Sequence, residues 1–245
     1  MDIFLAEFIG TAILMLLGNG VVANVLLSKS KGQNSGWIVI CSGWAFAVAI
    51  AVYATGWISG GHINPAITIG FAAIGKVDIA LVPIYIAGQM LGAMLGSLLV
   101  WITYLPHWSH TPESTHKLLC FSTKPNIRQP VCNLLTEIIA TAVLLIGVLA
   151  IIDKNNHMGS GFGPYAIGIL IFSIGLSLGG PTGFAINPAR DLGPRIMYQI
   201  LPISGKGSAD WGYAWIPVVG PILGALLGAL LYMRFIAQLL PMSIF

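Results

Sequence analysis

Two asparagines, each followed by Pro-Ala, are the residues whose type and placement could do chemistry: Asn64-Pro65-Ala66 and Asn187-Pro188-Ala189. Asparagine caps a helix through its side-chain oxygen, and proline suits the first turn because its missing N–H has no partner there. Each triplet opens a short apolar segment, Pro65–Ile74 and Pro188–Gln199, too brief to cross a hydrocarbon core of about 30 Å. A half-helix at membrane depth leaves its first N–H groups without intrahelical partners. It survives only when buried in protein or lining a water-filled path. If the two N-termini meet, their positive dipole ends focus on one point. Asn64 and Asn187 would each offer an amide N–H there while the amide oxygen caps its own helix. Such a central constriction donates to oxygen and repels cations. A water held as acceptor from both sides relays protons poorly. The plainer reading, two helix caps in re-entrant packing elements, leaves the duplication unexplained.

The flanking residues extend this logic. Gly60-Gly61-His62 and Gly183-Phe184-Ala185 form the approaches to the two half-helices. In irregular backbone their carbonyls cannot all pair, so they can form an acceptor ladder for hydroxyls in single file. His62 is open to two readings, a proton relay or a brace for its loop, and the brace is favoured. Glu7 and Glu137 are the carboxylates deep inside spanning segments, where ionisable groups are functional suspects. They are either a proton-coupling pair, which makes a transporter, or acceptors for the free N–H groups of the two loops. Their matching places in the repeats favour loop support. Arg190 has no counterpart in the first half, where Ile67 holds the slot. Its planar, always-charged guanidinium suits gripping vicinal hydroxyls and barring cations. The rival is a structural pair with Asp191, although adjacent helical residues point apart.

The elements that position these groups are apolar. The chain is 56% hydrophobic and 8% charged, with 30 glycines and a formal charge of +3. So few charges, against about 25% in soluble domains, imply that part of the solvent is lipid. There is no basic stripe for nucleic acid. Spanning runs of about 20 residues fit Ile3–Leu27, Trp37–Ile58, Ile79–Tyr104, Leu134–Ile152, Phe162–Leu178 and Tyr213–Met233, the fifth being short. The first is too long for a signal peptide and is read as a retained helix. A polar stretch, 106–129, separates two repeats of about 1–105 and 130–245 within one domain, 1–245.

Ala6-Glu7-Phe8-Ile9-Gly10-Thr11-Ala12 matches Thr136-Glu137-Ile138-Ile139-Ala140-Thr141-Ala142, and Gly88, Gly92 and Gly96 recur as Gly220, Gly224 and Gly228. An odd number of spans per half inverts the second repeat relative to the first. Neither a hydrolytic triad, a phosphate loop nor a metal-ligand spacing is evident, so no enzyme, metal or cofactor is expected. Cys120 and Cys132 could pair if they face an oxidising side.

The paired triplets, the two glutamates, Ser59-Gly60-Gly61-His62-Ile63-Asn64-Pro65-Ala66 and Gly183-Phe184-Ala185-Ile186-Asn187-Pro188-Ala189-Arg190-Asp191 resemble the major intrinsic protein family of aquaporins and glycerol facilitators, nearest the glycerol branch. That resemblance implies an all-α membrane protein with six transmembrane helices and two re-entrant half-helices, both termini cytoplasmic, in a plasma-membrane homotetramer. By the family's spacing the selectivity filter falls on Trp44, Gly175, Phe184 and Arg190, with Asp191 joining Glu7 and Glu137 as loop support. Water-selective members carry a histidine at the Gly175 place. Here glycine leaves space, and Trp44 with Phe184 makes an apolar corner opposite the arginine. The implied activity is passive passage of glycerol and small uncharged solutes with some water, without ions or protons. The alternatives are a water-preferring or broader channel and, remotely, a proton-coupled transporter. Loop charge leans against the implied topology. Lys76, Lys154 and Arg234 fall inside, but Lys29, Lys31, Lys117, Lys124, Arg128 and Lys206 fall outside. The run Gly179-Gly180-Pro181-Thr182 adds a flexibility signal before the second triplet.

Overall fold

The computed structural model describes residues 1–239. The final residues of the expected domain, 240–245, and with them the C-terminus expected to be cytoplasmic, lie outside the described residues. Helix α1 covers Asp2–Leu26, α2 Trp37–Ser59, α3 Pro65–Ala73 and α4 Val82–Thr103, the last preceded by a 3₁₀ turn. Then come α5 (Leu105–His110), α6 (Ser114–Leu119), α7 (Pro130–Ile151), α8 (Gly163–Leu178), α9 (Pro188–Ile200) and α10 (Ile216–Leu231), which runs into a π turn. Among the described residues, five helices are long and apolar enough to cross a membrane. The sixth, α8, has 16 residues, about 24 Å at the standard rise, and is the short fifth span. The order long, long, half, long therefore occurs twice, as α1–α4 and α7–α10.

The polar stretch 106–129 is not all loop. It contains most of α5 and all of α6, because Trp108, Leu118 and Phe121 are buried and anchor them to the bundle. Helix α7 begins at Pro130, earlier than its apolar run, because proline takes the first turn and Asn133 folds back onto Gln129 and Ile127. Cys120 and Cys132 are both free. Burial of Cys120 at the end of α6, with its thiol donating to His116 O, separates it from exposed Cys132. The Gly180-Pro181 segment is pinned, its two carbonyls accepting from Asn126 Nδ2 and N, each at 3.2 Å.

The repeated glycines let helices touch backbone to backbone. A Cβ on Gly88 of α4 would lie 2.7 Å from Phe4 O, and one on Gly96 2.5 Å from Ala12 O, both in α1. In the second half a Cβ on Gly220 would lie 2.7 Å from the Glu137 Cβ, and one on Gly228 2.6 Å from Ala142 O in α7. Close approach by small residues supplies the packing that water drives in soluble cores. The halves also interlock: α3 packs on α10 and α9 on α4, so each half-helix rests on the last helix of the other half.

Candidate functional site

Each half-helix is opened as its sequence dictates. Asn64 Oδ1 accepts from Ala66 N at 2.9 Å, and Asn187 Oδ1 accepts from Ala189 N at 3.0 Å and Arg190 N at 3.2 Å. The amide nitrogens cross between halves: Asn64 Nδ2 donates to Ile186 O and Asn187 Nδ2 to Ile63 O, both at 2.8 Å. The two half-helix N-termini therefore meet, and each asparagine keeps a second amide hydrogen. The preceding residues, Ile63 and Ile186, both sit at φ 43, an uncommon left-handed conformation for a β-branched residue.

Two buried carboxylates hold that strained backbone. Glu7 Oε1 accepts from His62 N at 3.0 Å and Ser59 Oγ at 2.6 Å, and its Oε2 from Ile63 N and Gln89 Nε2, both at 2.7 Å. Glu137 accepts from Ala185 N at 3.1 Å and Ile186 N at 2.8 Å. Charge-assisted bonds to backbone N–H groups are among the stronger ones. The Gly61 and His62 carbonyls have no helical partner, because Pro65 lacks an N–H and Ala66 N is taken by Asn64 Oδ1. The His62 ring is stacked on Tyr85 with centroids 4.4 Å apart, and its Nδ1 lies 3.0 Å from Thr68 Oγ1. Thr68 Oγ1 also lies 3.2 Å from Asn64 O and accepts from Gln89 Nε2 at 3.0 Å, so the histidine is braced within its own loop.

A cavity of about 300 Å³ joins these parts. Gly60, Gly61, His62, Asn64, Phe184, Ala185, Asn187, Trp44 and Arg190 line it, with Leu14, Val48, Val52, Leu144, Val148 and Ile171 as apolar wall. Gly175 and Gly183 stand outside the lining. A Cβ on Gly175 would lie 2.9 Å from Cys41 Sγ and 3.1 Å from Phe184 Cζ. The glycine thus makes room for the Phe184 ring. The Arg190 guanidinium lies 4.2 Å from the centre of the Trp44 ring, a cation–π contact, and donates to Phe121 O at 3.4 Å.

Asp191 turns away from Arg190. Its carboxylate accepts from Thr123 N and Oγ1, both at 2.7 Å, and forms a buried ion pair with Arg195 at 2.7 Å. Arg195 also donates to Thr123 O at 2.9 Å and Ala209 O at 2.6 Å, so the pair is satisfied all round and ties α9 to the connector. Sequence reasoning missed Arg195, Ser59, Gln89 and Phe121. The Arg195 signal was available in principle, since Asp191 and Arg195 have the i, i+4 spacing of a helical pair.

A bundle of membrane-length apolar helices enclosing a cavity with one polar edge and one apolar wall defines a membrane channel. The chain belongs to the major intrinsic protein family, which it matches over residues 1–232. It is 58% identical over 232 residues to the "Probable glycerol uptake facilitator protein" of Thermotoga maritima, covering 95% of this chain and 98% of that protein. It is 52% identical over 221 residues to the glycerol uptake facilitator protein of Bacillus subtilis, covering 90% of this chain and 80% of that one. Among solved structures it resembles the aquaglyceroporin of Plasmodium falciparum, with a TM-score of 0.87, 32% identity and 96% of each chain covered.

Proposed function

We propose that this protein is a passive channel for glycerol and other small uncharged solutes, with some water, excluding ions and protons. The observation that carries the reading is the two-sided character of the cavity at Trp44, Phe184 and Arg190. The guanidinium lies over the Trp44 ring, Phe184 lines the same cavity, and Asp191 forms its ion pair with Arg195 instead. That geometry suits a polyol, whose carbon edge lies on the aromatics and whose hydroxyl edge accepts from the guanidinium. Gly175 completes this selectivity filter from behind by leaving the Phe184 ring its place. Further in, the carbonyls of Gly60, Gly61 and His62, and those of Phe184 and Ala185, accept from hydroxyls, while Gly183, expected to join them, lies outside the lining. The spare amide hydrogens of Asn64 and Asn187 donate at the centre, which holds a water as acceptor and breaks proton relay. Glu7, Glu137 and Asp191 support the loops. The names of the glycerol-facilitator relatives support the choice of solute.

The reading includes a plasma-membrane homotetramer with both termini cytoplasmic, which the family resemblance supports. The outer cations that oppose the loop-charge rule have structural work on that side. Lys117 donates to Ser204 O, Lys206 Nζ donates to Tyr198 O, Gln199 O and Leu201 O at the end of α9, and Arg128 pairs with Asp210. Stopped-flow measurement of water and glycerol permeability in the same proteoliposomes tests the function. Glycerol flux well above that of protein-free vesicles is expected. Water flux with glycerol at the protein-free level would instead favour the water-preferring alternative.

A further inference from the structure

Gly175 lies in the last turn of α8, where helix carbonyls lack intrahelical partners. Its carbonyl accepts from Trp37 Nε1 at 3.0 Å, across from the first turn of α2. The same indole meets Phe184 edge to face, with centroids 5.8 Å apart and planes at 86°. Gly179 closes the box, since a Cβ there would lie 2.6 Å from Phe184 Cδ1 and 2.9 Å from Trp37 Cζ2. Phe184 needs such a box. Its backbone is at φ 40, a left-handed conformation that bulky residues avoid, so neighbouring contacts must fix where its ring points. Trp37 is absent from the cavity lining, so it acts through Phe184.

We propose that Trp37 is a positioning residue for selectivity: by tying the start of α2 to the end of α8 and packing on Phe184, it sets the width of the outer constriction. The proposal rests on the channel reading above. The helix-end bond holds two spans at fixed separation, and the aromatic edge holds the ring inward. Losing either lets the Phe184 ring swing outward and admits polyols larger than glycerol.

The test compares glycerol with erythritol, a four-carbon linear polyol, in proteoliposomes of wild type, Trp37→Phe and Trp37→Leu. Trp37→Phe removes the N–H and keeps a ring, and the erythritol-to-glycerol permeability ratio should rise about threefold, the scale of one hydrogen bond. Trp37→Leu removes both contacts and should raise the ratio further, so either variant suffices if the other is not recovered. In a Phe184→Ala background the Trp37 substitution should add little, because the two residues act as one unit. Trp57→Phe, an exposed residue at the far end of α2, should leave the ratio unchanged. Inserted Trp37 variants with the wild-type ratio would overturn the proposal. So would an equal fall in both permeabilities, or additive effects with Phe184→Ala. Wild-type vesicles that conduct no glycerol would instead overturn the channel reading itself.

Discussion

Arg190 is available to the cavity because its neighbour is committed elsewhere. Asp191 binds Arg195 and Thr123, leaving the Arg190 guanidinium over Trp44 with Phe121 O as its backbone acceptor. Replacing Arg190 with Ala should loosen selectivity and leave transport intact, shifting the water-to-glycerol ratio by about tenfold to a hundredfold, the scale of one charged hydrogen bond. An unchanged ratio in that variant would remove Arg190 from the filter. Arg195→Met tests the neighbouring pair. It strands a buried carboxylate and should cost about 3–5 kcal/mol, read as a fall in Tm of the solubilised protein. Gly175→His should crowd Cys41 and Phe184 and cut glycerol flux more than water flux in the same vesicles. At this scale the sequence was legible wherever chemistry was duplicated. Asn64 with Asn187 and Glu7 with Glu137 announce each other, and the structure gives each pair matching bonds. Gln89 and Trp37 were not legible, because their partners lie far away in the chain and only the fold brings them close.

The half-helices depend on elements that do not line the cavity. Glycine rows at four-residue spacing bring α4 against α1 and α10 against α7, which places Glu7 and Glu137 under the loops they hold. Gly92→Leu would drive a side chain into Phe8 O, and Gly224→Leu into Ile138 O. Each should destabilise by at least the 1–3 kcal/mol or so typical of overpacking, read as loss of recoverable folded protein, because backbone cannot move aside. The spacing of the rows was visible in the sequence, but which helix each row met was not. The helices α5 and α6 were hidden by polar composition, since a few buried side chains suffice to fix such short turns.

At the connection between α7 and α8, Asp153 sits below the usual carboxylate range. The Asn155 N–H donates to it first, and the Tyr232 hydroxyl ties it to the end of α10. A depressed carboxylate stabilises above its unfolded value and loses that contribution as pH falls through the folded one. The hydrogen-exchange protection factor at Asn155 N, measured against the intrinsic rate at each pH, should therefore be raised at neutral pH and fall once the pH drops well below the ordinary value of 3.8. Asp153→Ala should be unprotected at both.

At the scale of the whole molecule, two halves of the same element order meet through their half-helices and share one cavity. The duplication could be read directly from the chain, and so could the membrane, from 8% charged residues. Orientation could not be read the same way, because Lys117, Arg128 and Lys206 fasten connections between helices, so their charges carry structural work as well as any loop-charge signal. The cavity is one edge of donors and acceptors beside one apolar wall, which needs neither a moving part nor a coupled ion. The most direct test of that claim is glycerol equilibration into proteoliposomes of the purified protein, followed by light scattering with and without a protonophore. Equilibration much faster than in protein-free vesicles, following the gradient and unchanged by the protonophore, is the predicted result. Equilibration no faster than in protein-free vesicles, or uptake that collapses with the protonophore, would contradict it.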